Sequence, residues 1–163
     1  MPHIASIVYT PRGVERKPQI HFARVPLERA MLLEGRGIEG DLKGAGGTRQ
    51  LNVMRAETLV ELNDEGRHAK PGEMGEQLVI AGLDPVNLAE GTQVRLGESA
   101  VIEIGIPRTG CVRFEHIQGT SRKTVEGRLV VLAQVIASGE IAVGDRVVVL
   151  EGPRDRRLDL GGR

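Results

Sequence analysis

Val101-Ile102-Glu103-Ile104-Gly105-Ile106-Pro107-Arg108-Thr109-Gly110-Cys111 is the stretch on which the reading of this chain turns. Ile102, Ile104 and Ile106 alternate with Val101, Glu103 and Gly105, the period of two that marks a strand with one buried face. Proline fixes φ and removes a ladder donor, so Pro107 is expected to end the strand and residues 107–110 to form a turn. Cys111, the only cysteine, follows at once. Residues 112–118, with Phe114, His116 and Ile117, allow a short helical turn that Gly119 would close. Free N–H groups at such a helix start, together with Arg108 and Arg113, would favour a thiolate and lower the thiol pKa from its ordinary value of about 8.5. A sulfur of that kind is a nucleophile or a metal ligand. The alternative is a buried, inert cysteine acting as a small hydrophobe.

Outward from there the chain reads as short strands. Residues 4–9, 19–25, 30–34, 50–54 and 78–80 read as strands before it. Residues 55–63 read as a helix whose buried face carries Ala56, Leu59, Val60 and Asn63. After it, residues 129–137 are nearly continuous in aliphatics, which predicts a strand buried on both faces, and residues 146–150 close the domain. Residues 90–98 and 138–145 each set glycines around a short strand, as hairpins of small barrels do. With 22 glycines and eight prolines the expectation is a mostly β domain over residues 1–150. Residues 151–163 read as a charged, mobile tail.

Composition excludes several functions. Lysine plus arginine and aspartate plus glutamate both number 22, so no net field recruits nucleic acid or a membrane surface. Two phenylalanines, one tyrosine and no tryptophan leave little on which exposed bases could stack. One cysteine excludes an internal disulfide and fits a reducing compartment. The start of the chain lacks the pattern of a signal peptide, and the longest apolar run, residues 129–133, falls far short of the roughly 18 residues a membrane span needs. A cytoplasmic, soluble protein is the expectation. The four histidines have no mutual ligand spacing, so no closed zinc site follows from local motifs.

Gly35-Arg36-Gly37-Ile38-Glu39-Gly40 spells the dinucleotide-binding string, but residues 41–47 are poor helix formers, and without a helix start the pyrophosphate has no seat. The same segment offers a glycine-rich loop with Asp41, Lys43, Arg49 and Gln50, able to line an anion with backbone N–H groups or simply to stay solvated. Glu73 with Glu76, and Glu57 with Glu61, read as surface carboxylates.

The order of these pieces carries a resemblance. Gly37-Ile38-Glu39-Gly40-Asp41, then Arg49-Gln50-Leu51, then Pro71-Gly72 with Gly75-Glu76-Gln77-Leu78, then the turn at residues 107–111, and last Gly139 with Val143-Gly144-Asp145 resemble the MOSC domain, the molybdenum cofactor sulfurase C-terminal domain family. The resemblance runs over residues 14–150. Lys43 stands where the family commonly has histidine, and Gln77 where it favours asparagine.

The resemblance implies a β-barrel-like domain with a few short peripheral helices. It also implies a stand-alone module that binds the molybdenum cofactor (molybdopterin), or carries sulfane sulfur as a persulfide, with Cys111 as the catalytic and metal-contacting residue. Asp41, Lys43, Arg49, Gln50, Glu76, Gln77, Arg108 and Arg113 would hold the cofactor. No pyridoxal phosphate is expected on this chain, so sulfur would come from a partner, a cysteine desulfurase or another donor. Some relatives reduce N-hydroxylated compounds, which would call instead for a reductase partner. A third reading is a non-enzymatic β-barrel scaffold in which Cys111 is structural.

Overall fold

The structure, a computed structural model, describes residues 1–11, 24–41, 47, 50–67, 70–72, 74–108 and 130–151. Its strands are β1 (His3–Tyr9), β2 (Val25–Leu27), β3 (Arg29–Leu33), β4 (Gly37–Ile38), β5 (Leu51–Arg55), β6 (Leu78–Ala81), β7 (Gln93–Leu96), β8 (Ala100–Arg108), β9 (Val130–Ala137), β10 (Gly139–Ala142) and β11 (Val147–Glu151), with one α-helix, α1 (Ala56–Asp64), and a 3-10 turn at Pro85–Asn87.

Eight strands form one sheet in the order β11-β7-β8-β9-β5-β6-β1-β2, and β10-β3-β4 form a second. Among the described strands only β5 and β6 run parallel, and a parallel pair needs a crossover, which α1 supplies. The mostly β expectation holds, although the sheet is not closed into a barrel. It curls until the start of β1 meets the approach to β11: Ile4 N donates to Asp145 O at 2.9 Å, Gly144 N donates to Ile4 O at 2.8 Å, and a single bridge links His3 with Arg146. Inside the curl, Ile4, Val53, Leu78, Ile102 and Val131 pack with Leu32, Ile38 and Ile141 of the small sheet. On the other face, α1 lays Leu59 and Leu62 over Met54, Val79 and Val130. Each such side chain contributes about 1.5–3 kcal/mol through burial.

Several elements depart from the sequence expectation. β8 does not stop at Pro107. A register shift between Ile104 and Pro107 admits the proline, because a bulge needs no ladder donor there, and the strand runs on to Arg108. The same shift turns Ile106 outward, 55% exposed, whereas Ile102 and Ile104 are buried. In α1 the two leucines and Thr58 face the sheet and Val60 faces solvent, since the crossover from β5 to β6 sets the helix rotation. β9 buries Val131, Ala133 and Val135 on one face and only half buries Leu132, Gln134 and Ile136 on the other. Of the two glycine-flanked phrases, the first makes the β7–β8 hairpin, while β10 pairs with β3 in the small sheet. The strand expected over residues 19–25 falls mainly outside the described residues, as do residues 152–163 of the tail.

Candidate functional site

The ends of β1, β5 and β6 meet at one rim, and three of the resemblance motifs, those that carry Asp41, Gln50 and Gln77, converge there. Gln77 N donates to Asn52 O at 2.9 Å and Val8 N donates to Gln77 O at 2.8 Å, which fixes the entry to β6 between its neighbours. The Gln77 side chain then works in both directions. Its Oε1 accepts from Asn52 N at 2.7 Å and its Nε2 donates to Asp41 Oδ2 at 3.2 Å. Asp41 Oδ1 accepts from Thr10 N at 2.9 Å, and Asn52 Nδ2 donates to Gly75 O at 2.9 Å. Asp41 and Gln77 are both 0% exposed. A carboxylate so placed is tolerable only with donors aimed at it, and it has two.

Gln50 is anchored beside them. Its Nε2 donates to Gly47 O and its Oε1 accepts from Val135 N, both at 2.8 Å. Gly37 passes so close that an added Cβ would lie 2.8 Å from Gln50 O, and its φ of +122° is one that side chains rarely adopt. The dinucleotide string is therefore a turn and a two-residue strand, with glycine required by close approach. Asp41 and Gln50, both anchored in this way, flank in sequence residues 42–49, which include Lys43 and Arg49.

Glu76 is 0% exposed, not the surface carboxylate expected. Its two oxygens accept from Gly72 N and from Met74 N. Burial pushes its pKa up to about 7, against the opposing pull of those N–H groups and of Arg24. Arg24 Nη2 donates to Gly75 O at 3.1 Å, and its Cβ and Cγ press on Gly72, where an added Cβ would come within 2.9 Å. Glu57 and Glu61 do sit at the surface, 3.5 and 3.7 Å from Arg55.

Arg108 lies elsewhere. Val131 is level with both Val53 and Pro107, and Ala133 with both Leu51 and Ile104. Arg108, opposite Val130, therefore stands toward the C-terminal end of β5, whereas Gln50 precedes its N-terminal end, a separation of about 13 Å along the strands. Half-buried Arg108 makes no side-chain hydrogen bond or ion pair with another described residue. Cys111, Arg113, Lys43 and Arg49 lie outside the described residues. The described candidates fall into two groups: Asp41, Gln50, Glu76 and Gln77 at the rim, and Arg108 at the far end of the β5 level.

This arrangement bears on whether an anionic pterin fits. The rim four engage their polar atoms inside the protein and are at most 4% exposed, and two of them are carboxylates. They suit holding backbone in place rather than meeting an anion directly. Among the described residues no group of three or more metal-ligating side chains occurs. Asn52 and Arg24, both part of the rim, were not singled out from the sequence. Asn52 left a signal, a polar residue inside the apolar run Leu51-Asn52-Val53-Met54.

A curled, mostly antiparallel sheet with one helical crossover and a buried polar rim of this kind defines a MOSC-type fold. The MOSC domain model matches residues 18–148, and the chain belongs to that family. Its fold is similar to that of the YuaD protein from Bacillus subtilis, with TM-score 0.72 and 19% identity over 90% of this chain and 94% of that one. It is also similar to YiiM from Geobacillus stearothermophilus, with TM-score 0.72 and 19% identity over 93% of this chain and 76% of that one. YiiM from Escherichia coli gives TM-score 0.68 and 24% identity over 95% and 72%. A protein named reductase from Gibberella moniliformis (strain M3125 / FGSC 7600) is 30% identical over 86 residues, which is 50% of this chain and 15% of that protein. The chain thus spans a small part of that relative. No helix among the described residues is long and apolar enough to cross a membrane.

Proposed function

We propose that residues 1–150 act as one module that binds the molybdenum cofactor and presents Cys111 to it, as a sulfur ligand or as the carrier of a sulfane sulfur. Family membership over residues 18–148 supports the cofactor class. The observation that carries the residue assignment is the anchoring of Asp41 and Gln50, which flank residues 42–49 in sequence and are buried and internally bonded. On this reading Lys43, Arg49, Arg108 and Arg113 meet the phosphate and pterin oxygens, while Asp41, Gln50, Glu76 and Gln77 are positioning residues. A soft thiolate at Cys111 suits molybdenum or sulfane sulfur. The bound cofactor would supply two-electron redox chemistry that no side chain of this chain provides. A lone cysteine fits the reducing cytoplasm.

The test is the cofactor content of protein expressed in a host that makes molybdopterin. Near-stoichiometric molybdenum and pterin in the wild type, with both lost in Cys111→Ser, is the expected result. Wild type free of both, and gaining no sulfur in its intact mass after incubation with a cysteine desulfurase and cysteine, would reject this reading. The relative named reductase favours a second reading, in which the loaded module reduces N-hydroxylated compounds with electrons from a separate reductase. Anaerobic incubation of reduced, loaded protein with an N-hydroxylated purine should then yield the amino purine. Unchanged substrate would exclude it.

A further inference from the structure

β8 and β9 enclose a recess of about 290 Å³ that shares no residue with the Asp41–Gln77 network. Three local features make it. Gly105 leaves the floor without a side chain, and an added Cβ there would already lie 3.1 Å from Leu132 O. The bulge before Pro107 turns Ile106 outward as one wall, and Leu132 of β9 supplies another. Gly91 N donates to Ile104 O at 2.7 Å and Ile104 N donates to Thr92 O at 2.8 Å, so the loop bearing Glu90 is tied to the same strand.

Glu90, Glu103 and Gln134 all line the recess, and none makes a side-chain hydrogen bond or ion pair with another described residue. Glu103 stands opposite Gln134 in register, half-buried, and beside an apolar wall where a carboxylate loses part of its hydration. Two carboxylates and one amide present acceptors in excess. They are too few for the oxygen shell of a hard metal ion, and most of the lining is apolar. A charged head on an apolar body satisfies both halves.

We propose that this recess is a binding site for a small organic ammonium ion, its head held by Glu90 and Glu103 and its apolar body against Ile106 and Leu132. The site does not depend on what Cys111 carries. Its probe is benzylamine, with benzyl alcohol as the neutral isostere, added to the full chain while the methyl resonances of Ile106 and Leu132 are followed. Benzylamine should give saturable shifts confined to these methyls at about millimolar concentration. Benzyl alcohol should bind at least tenfold more weakly, and both Glu103→Gln and Glu90→Gln should weaken benzylamine at least tenfold. Glu90 is exposed, so its variant keeps the test valid if Glu103→Gln folds poorly. Absence of saturable shifts, equal binding of the alcohol, or unchanged affinity in the folded variants would each overturn the proposal.

Discussion

Two regions place polar side chains among apolar strands, and they do so with opposite outcomes. At the rim formed by β1, β5 and β6, Asp41, Asn52, Glu76 and Gln77 have their polar atoms engaged by backbone or by one another. On the β8–β9 ribbon, Glu103 and Gln134 sit half-buried without such side-chain partners among the described residues. Buried and satisfied groups fix the backbone, whereas half-buried and unsatisfied ones remain available to something from outside. On the proposed function the family motifs at the rim act as architecture behind the ligand, and on the proposed recess the ribbon carries the open chemistry.

The largest test of that contrast is Asp41→Ala. It leaves Thr10 N and Gln77 Nε2 without their acceptor inside the protein, and should lower stability by about 3–5 kcal/mol in urea unfolding. A loss below about 1 kcal/mol would mean that the rim is not structural.

Next in size is a pH effect from Glu76. Its carboxyl has a pKa of about 7 in the folded chain against an ordinary 4.5. Between those values the folded state retains a proton that the unfolded state has released. Stability should therefore fall as pH rises through that window, by up to about 3 kcal/mol, and be indifferent to this group on either side of it. Urea midpoints across the window, with Glu76→Gln flattening the slope, make the measurement. A rise in stability traceable to Glu76 over the same range would show that the N–H donors and Arg24 outweigh burial.

Smaller again is Gly37→Ala, where a positive φ and the approach to Gln50 O both resist a side chain. About 2 kcal/mol is expected, together with weaker cofactor retention if residues 42–49 lose their anchor. Loss of stability with full retention would separate the fold from the proposed positioning role.

Much of the fold was legible because strand alternation is local. β1, β3, β5, β8, β9 and β11 all fall close to where the apolar periods place them. The outward turn of Ile106 was not, since the bulge arises from pairing with β9, twenty-odd residues further on. Glu76 looked solvated for a similar reason: its spacing from Glu73 is that of a surface pair, and only the packing shows Gly72 N and Met74 N aimed at a buried carboxyl, with Arg24 alongside. The motif order identified the family, yet it could not separate residues that touch a ligand from residues that hold the loop. In a sequence both are polar residues at fixed places, and the difference lies in the partner, which only the packed structure supplies. Cys111, Arg113, Lys43 and Arg49 fall outside the described residues, so their roles rest on the resemblance and the proposal.

The smallest expected effect, that of Ile106→Ala, is also the most specific to the ribbon. An uninterrupted strand would treat Ile102, Ile104 and Ile106 as equivalents, each pointing into the core. With the register shift, Ile104 is 1% exposed and Ile106 55%. Ile104→Ala should then cost about 2–5 kcal/mol through lost burial and the cavity it leaves, while Ile106→Ala should cost less than about 1 kcal/mol. Paired urea denaturations of the two variants measure the difference. Equal losses would place Ile106 in the core, remove the outward wall of the recess, and return β8 to the regular strand that its alternation alone suggests.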